Sequence, residues 1–182
     1  MIFGRRTDSV TERMTTDQQI TPRTIFTDIL EDDHYQALAW VTGDSAHAAL
    51  SGLVKFYGTP YAGVLVEAEI FNLPYSGDPC AANFYGFHIH EYGECSDRTG
   101  TSFADDGGHY NPSGCPHPGH AGDFPPLMSD HGYAWISFYD KRFRIEDIIG
   151  KSVIIHDMPD DFSSQPSGNS GARIGCGVIR AV

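Results

Sequence analysis

Val64-Leu-Val-Glu-Ala-Glu-Ile-Phe71 reads as a β-strand. Val64, Val66, Ala68 and Ile70 alternate with Leu65, Glu67, Glu69 and Phe71, and this period of two suits a strand with one buried face. Downstream, a Pro- and Gly-containing stretch at 74–79 breaks the run, and residues 84–92 read as a second strand. A Gly/Asp/Pro-rich stretch follows at 93–126. It is too irregular for regular structure and too long for a plain connection, and long loops of that kind are usually functional. Strand signals return at 132–139, 152–156 and 174–181, with a second long loop at 157–172. Upstream, strand character begins near Ala48. Several short strands and two long loops, with no strong helical period and no repeats, predict an all-β antiparallel sandwich or flattened barrel.

Residues 1–45 carry little signal. They are polar, with an acidic patch at Glu31-Asp32-Asp33, and a short helix over 24–38 fits Pro22 standing before it. The expectation is an N-terminal extension or strap over 1–45 and a single domain over 46–182. With 12 Lys and Arg against 24 Asp and Glu, the net charge of −12 argues against nucleic acid as a partner. No apolar run is long enough to span a membrane.

Of the four cysteines, Cys80, Cys95, Cys115 and Cys176, none forms a Cys-x-x-Cys pair, which argues against a zinc ribbon or a thioredoxin motif. An even count suits disulfides and an oxidising compartment. The start, Met1-Ile-Phe-Gly-Arg-Arg-Thr7, has no apolar stretch after its basic residues and is not a readable secretory signal. The expected location is cytoplasmic for the chain as it stands, and periplasmic or extracellular if a signal has been removed.

Nine histidines are present, and six of them form an ordered set with one aspartate: His88, His90, His109, His117, His120, Asp123 and His156. Residues two apart on a strand share a face, so His88 and His90 can offer two imidazoles to one metal while Ile89 points into a core. A lone His-x-His pair is weak evidence, because amidohydrolases and cupins use it too. The segment His117-Pro-Gly-His-Ala-Gly-Asp123 adds three ligand side chains within seven residues, with glycines that let the backbone bend around an ion. Three imidazoles and a carboxylate suit a closed tetrahedral zinc site, and imidazoles also suit copper. His131, in Asp130-His-Gly132, reads as a turn residue; His34 and His47 receive no role.

At these residues the chain resembles the copper/zinc superoxide dismutase family. Gly86-Phe-His-Ile-His-Glu-Tyr-Gly93 is similar to its first copper-ligand strand, and Gly108-His-Tyr-Asn-Pro112 to the segment with the metal-bridging histidine. His120-Ala-Gly-Asp123 is similar to the end of its zinc loop, and Val153-Ile-Ile-His-Asp-Met-Pro-Asp-Asp161 to the strand end bearing the last copper ligand. Gly168-Asn-Ser-Gly-Ala-Arg-Ile-Gly-Cys-Gly-Val178 resembles the segment with the active-site arginine and a disulfide cysteine. The resemblance covers about residues 50–182, in five ordered motifs. It implies a Greek-key sandwich and copper held by His88, His90, His109 and His156. Zinc would be held by His109, His117, His120 and Asp123, so that His109 bridges both metals. It further implies Asp160 as the carboxylate tying His88 to His117, Arg173 as the anion dock and a Cys95–Cys176 disulfide.

The implied activity is disproportionation of superoxide, with His109 and Arg173 as catalytic residues; a homodimer is compatible with it. Two rivals stand beside it: a non-catalytic domain of the same fold that binds or delivers copper, and a zinc hydrolase using His88 and His90. Domains of the first kind usually lack a copper ligand or the arginine, both kept here. The usual barrel of the second needs about 250 residues. The chain also departs from the family pattern. Only Pro118 and Gly119 separate His117 from His120, which tightens the zinc loop. The loop at 157–172 contains no lysine, which weakens any long-range guidance of an anion. Cys80 and Cys115 are extra, and a disulfide between them would brace the zinc loop.

Overall fold

The computed structural model describes residues 21–78, 80–81, 83–96 and 101–182. Of the extension expected over 1–45, residues 1–20 lie outside these. The chain divides into two compact units, the second spanning His34–Val182. In the first unit, helix α1 (Pro22–Asp32) is set by local chemistry. The Thr21 hydroxyl accepts the Thr24 N–H and Thr24 answers on the Thr21 N–H, a reciprocal cap, with Pro22 opening the first turn. Asp33, in a left-handed conformation, closes the helix, so it ends before the 38 expected.

In the second unit, strand β1 (Ala37–Gly43) lies within the stretch read from the sequence as an extension. It lies between β2 (Ser51–Gly58) and β9 (Arg173–Ala181), pairing Ala39 with Val54 and Thr42 with Cys176. The inward residues Ala37, Ala39 and Val41 are fully buried, whereas Trp40 is 64% exposed. Small residues inside and a large one outside explain why the strand gave so weak an apolar signal.

The remaining strands are β3 (Val64–Phe71), β4 (Phe84–Tyr85), β5 (Phe87–His90), β6 (Leu127–Met128), β7 (Ala134–Asp140) and β8 (Ser152–His156). Among the described residues, seven of the nine strands form one antiparallel sheet in the order β5-β8-β9-β1-β2-β3-β7, and β4 pairs with β6 apart from it. A four-residue helix, α2 (Ile145–Ile148), lies between β7 and β8. In β3 Val64, Val66, Ala68 and Ile70 are buried and Glu69 and Phe71 exposed, as the alternation requires, but Leu65 on the opposite set is buried as well.

The strand expected at 84–92 is split at Gly86, which exchanges backbone bonds with Met158 and His156 and has no room for a Cβ against Ser170. Strand β5 pairs with β8 in the register His88 to Ile154 and His90 to Ser152. Its alternate residues Phe87 and Ile89 enter the main core with Val153 and Ile155. His88 and His90 therefore occupy the other face, under the long loops. His131, at positive φ, sits in the tight turn closed by the Asp130–Tyr133 bonds.

Candidate metal centre

The loop between β5 and β6 folds back along β5. The Ile89 N–H donates to Gly122 O, the Tyr110 N–H to Ile89 O, and the Glu91 N–H to Gly108 O. These bonds set His109 opposite His90 and Asp123 opposite His88. Gly122 is needed for so close an approach, because a Cβ there would strike Ile89 O. The residue after Asp123, Phe124, is buried between Phe87 and Phe138 with ring centroids at 5.2 and 4.9 Å, which anchors the end of the loop in the core.

Two tetrads result, His88/His90/His109/His156 and His109/His117/His120/Asp123, each with ligand atoms within 4.8 Å of one another. All seven residues are buried. His109 belongs to both tetrads, and its ring stacks on that of His88 at 3.8 Å. Buried polar atoms almost always find partners, yet His88 Nδ1, His109 Nε2, His117 Nδ1 and His120 Nδ1 have no hydrogen bond. His90 Nε2 faces His156 Nε2 at 3.4 Å. Inward lone pairs of this kind repel each other unless a cation lies between them.

In the second tetrad, His117 Nδ1 and His120 Nδ1 each lie 3.2 Å from an Asp123 oxygen. That is close to the edge of about 3.3 Å expected of a tetrahedron with zinc bonds near 2.0–2.1 Å. The donor set fits zinc here and copper at the all-imidazole tetrad.

Outer contacts fix which nitrogen each ring presents. Asp160 takes His88 Nε2–H at 2.8 Å and His117 Nε2–H at 2.9 Å, so one carboxylate spans both tetrads and leaves each Nδ1 free. Gly168, at positive φ, lies against this carboxylate, and a Cβ there would collide with Asp160 and His117. Burial would raise the Asp160 carboxyl, but bonds from His88, Phe162 N–H and His117 outweigh it and hold it at about 2. Burial likewise works against ionisation of Asp123, and the bonds from His109 and the His120 backbone overcome it. Burial, with neighbouring imidazoles adding to it, pushes His88 down to about 4 and His90 and His156 well below the ordinary value. Neutral imidazoles are what a metal requires.

A bulge between Ile155 and His156 shifts the β8–β9 ladder and sets His156 opposite Arg173. A cavity of about 510 Å³ opens onto His90, His109 and His156, with Arg173 as the cation among its lining residues and Asp44 as the acid. Arg173 donates to Gly107 O at 2.7 Å and Phe103 O at 3.4 Å. The disulfide Cys95–Cys176, with Cα atoms 5.6 Å apart, ties that loop to β9. Cys80 and Cys115 are free, so the second disulfide considered from the sequence is not formed. Cys80 is exposed, while the Cys115 backbone is already clasped by both side-chain ends of Asn111.

Three residues near the site had no sequence signal. Arg142 donates to the carbonyls of His120 and Asp123. Asp106 sits behind His90, where burial lifts its carboxyl to about 7 against the pull of Arg173. Asp44, at the cavity rim, accepts from Ser102 and His47. Only the loop conformation brings these side chains to the tetrads.

The model of the copper/zinc superoxide dismutase (SODC) family matches residues 50–179. A superoxide dismutase [Cu-Zn] of Legionella pneumophila is 33% identical over 164 residues, covering 86% of this chain and 93% of its own. The human copper chaperone for superoxide dismutase is 30% identical over 143 residues, and this chain spans 71% of its own length but 48% of that protein. Among solved structures, a SOD-like protein from Bacillus subtilis superposes with a TM-score of 0.63 at 28% identity, covering 80% of this chain and 99% of that one. Two imidazole-rich tetrads that share one histidine on an antiparallel sheet define a class of fold with paired candidate metal sites. This chain belongs to the copper/zinc superoxide dismutase family.

Proposed function

We propose that this protein disproportionates superoxide, with copper on His88, His90, His109 and His156 and zinc on His109, His117, His120 and Asp123. The observation that carries the reading is the shared His109 together with a cavity that reaches the all-imidazole tetrad beside Arg173. Bound copper would supply a one-electron change, taking an electron from one superoxide, which leaves as oxygen, and giving it to a second, which with two protons becomes hydrogen peroxide.

The protein's share is position, charge and protons. Asp160 holds His88 and His117 with their Nδ1 atoms turned inward. Arg173, 25% exposed at its side chain, can receive the anion by charge-assisted hydrogen bonds. His109 can hold a proton at Nε2 while Nδ1 stays with Asp123 and the zinc ligands, and so can pass it to the reduced product.

Replacing Arg173 with Ala should lower the second-order rate by roughly ten- to a hundredfold while both metals stay bound, the loss expected for one charge-assisted hydrogen bond. Arg173→Lys should fall between, since it keeps the charge and loses the planar fork. An Arg173→Ala protein as fast as wild type would remove the docking role. The kinship with a copper chaperone supports a second reading, in which the domain carries copper without turnover. Full copper loading with no consumption of superoxide would favour it.

A further inference from the structure

Asp106 belongs to neither tetrad, yet it stands where the copper tetrad meets the cavity. It ends the single 3₁₀ turn Ala104–Asp106 and is fully buried. Its Oδ1 accepts His90 Nδ1–H at 2.9 Å and lies 3.3 Å from Arg173 Nη2, while its Oδ2 has no hydrogen-bond partner. A buried carboxylate is costly unless cations or donors compensate it, and here the compensation comes from the arginine assigned to the substrate. Part of that arginine's charge is therefore answered from inside the protein. The cavity's own lining includes one acid, Asp44, and no Lys or Arg besides Arg173.

We propose that Asp106 is a positioning residue with two effects: it ties His90 to Arg173 through one oxygen, and its charge weakens the site's hold on small anions. The inference rests on the copper reading above. The tie turns His90 Nε2 toward the metal position, because the Nδ1 proton is committed to Asp106 and Gly107 O. The charge effect matters because a reaction that takes in one anion after another must also let go of products and of unreactive anions. A docking cation with no internal counter-charge would retain them.

Gly107 O also accepts from Arg173 Nη2 at 2.7 Å and from His90 Nδ1 at 3.1 Å, so both side chains keep a partner when the carboxylate is changed. Replacement therefore reads the charge more than the placement. The probe is azide, titrated optically against the protein loaded with copper(II) and zinc at a pH well above 7, where the Asp106 carboxyl is ionised. Asp106→Asn should bind azide about five- to fiftyfold more tightly, the range for removing one negative charge some 7 Å away at an effective dielectric of 20–40. Copper affinity, read by chelator competition, should fall, by no more than about tenfold, the low end for an outer partner, because His90 exchanges a charged acceptor for a neutral one and keeps Gly107 O.

Asp106→Ser, which leaves room for a water, is the second variant and should move both quantities the same way. Azide affinity unchanged or lower in the loaded variants overturns the charge effect, and unchanged copper affinity overturns the tie. Neither readout needs turnover. A wild-type protein that binds copper but leaves superoxide unconsumed would defeat the proposed activity and leave this comparison intact.

Discussion

Arg142, outside the tetrads, holds the backbone of the second tetrad in place. Its guanidinium donates to His120 O at 2.8 Å and to Asp123 O, so one side chain holds the backbone of two zinc-ligand candidates. It is itself held by Asp140, with Nη2 to Oδ2 at 2.6 Å and Nε to both oxygens at 3.1 Å. Replacing Arg142 with Leu removes both carbonyl bonds and leaves the Asp140 carboxylate, whose side chain is 6% exposed, with the backbone N–H of residue 142.

Each bond from a charged donor is worth about 1.5–3 kcal/mol, and the 40% exposure of the arginine side chain moves the sum toward the lower end. The metal-free protein should lose about 2–4 kcal/mol, a fall in Tm of about 5–15 °C for a chain of this size. Zinc affinity measured against a chelator should drop about ten- to a hundredfold, as for other outer partners of metal ligands. Copper affinity should change much less. If Arg142→Leu matched wild type in both Tm and zinc affinity, Phe124 packing alone would hold the loop end, and the argument would be wrong.

The strands with large apolar residues were legible in the sequence. β3 was read from Val64 to Phe71 by its alternation, and β8 from Ser152 to His156 as a short apolar run that the fold buries throughout. β1 was not, because its inward positions are two alanines and a valine while its Trp40 faces out. The seven candidate ligands could be singled out because their residue types suit a metal and five of them cluster in His88-x-His90 and in 117–123. Asp106 and Arg142 were not, because each acts on backbone or side chains that only the folded loop brings near. Arg142 reaches carbonyls 19 and 22 positions away, and no residue pattern encodes a carbonyl.

Two further outcomes are expected. In the metal-free protein the buried imidazoles have folded-state pKa values below their unfolded ones, so the unfolded chain gains protons first as pH falls. Stability should therefore be highest above about pH 6.5 and decline toward pH 4, with His88 alone contributing a loss of about 3 kcal/mol; denaturant melts at a series of pH values would show a flat profile if the imidazoles were not buried neutral. For the loaded protein, with Arg173 the cation and Asp44 the acid among the residues lining the cavity, the rate of superoxide consumption should change only shallowly with ionic strength, and a steep fall would reveal a steering patch elsewhere.

The most direct test of the central claim combines metal content with superoxide decay on one preparation. Protein reconstituted with both metals should hold one copper and one zinc per chain and consume pulse-generated superoxide catalytically, while the zinc-only protein should be inert. His120→Ala should release zinc while copper largely stays. Copper alone in zinc-supplemented protein, or stoichiometric copper and zinc with superoxide decaying no faster than in buffer, would contradict the account.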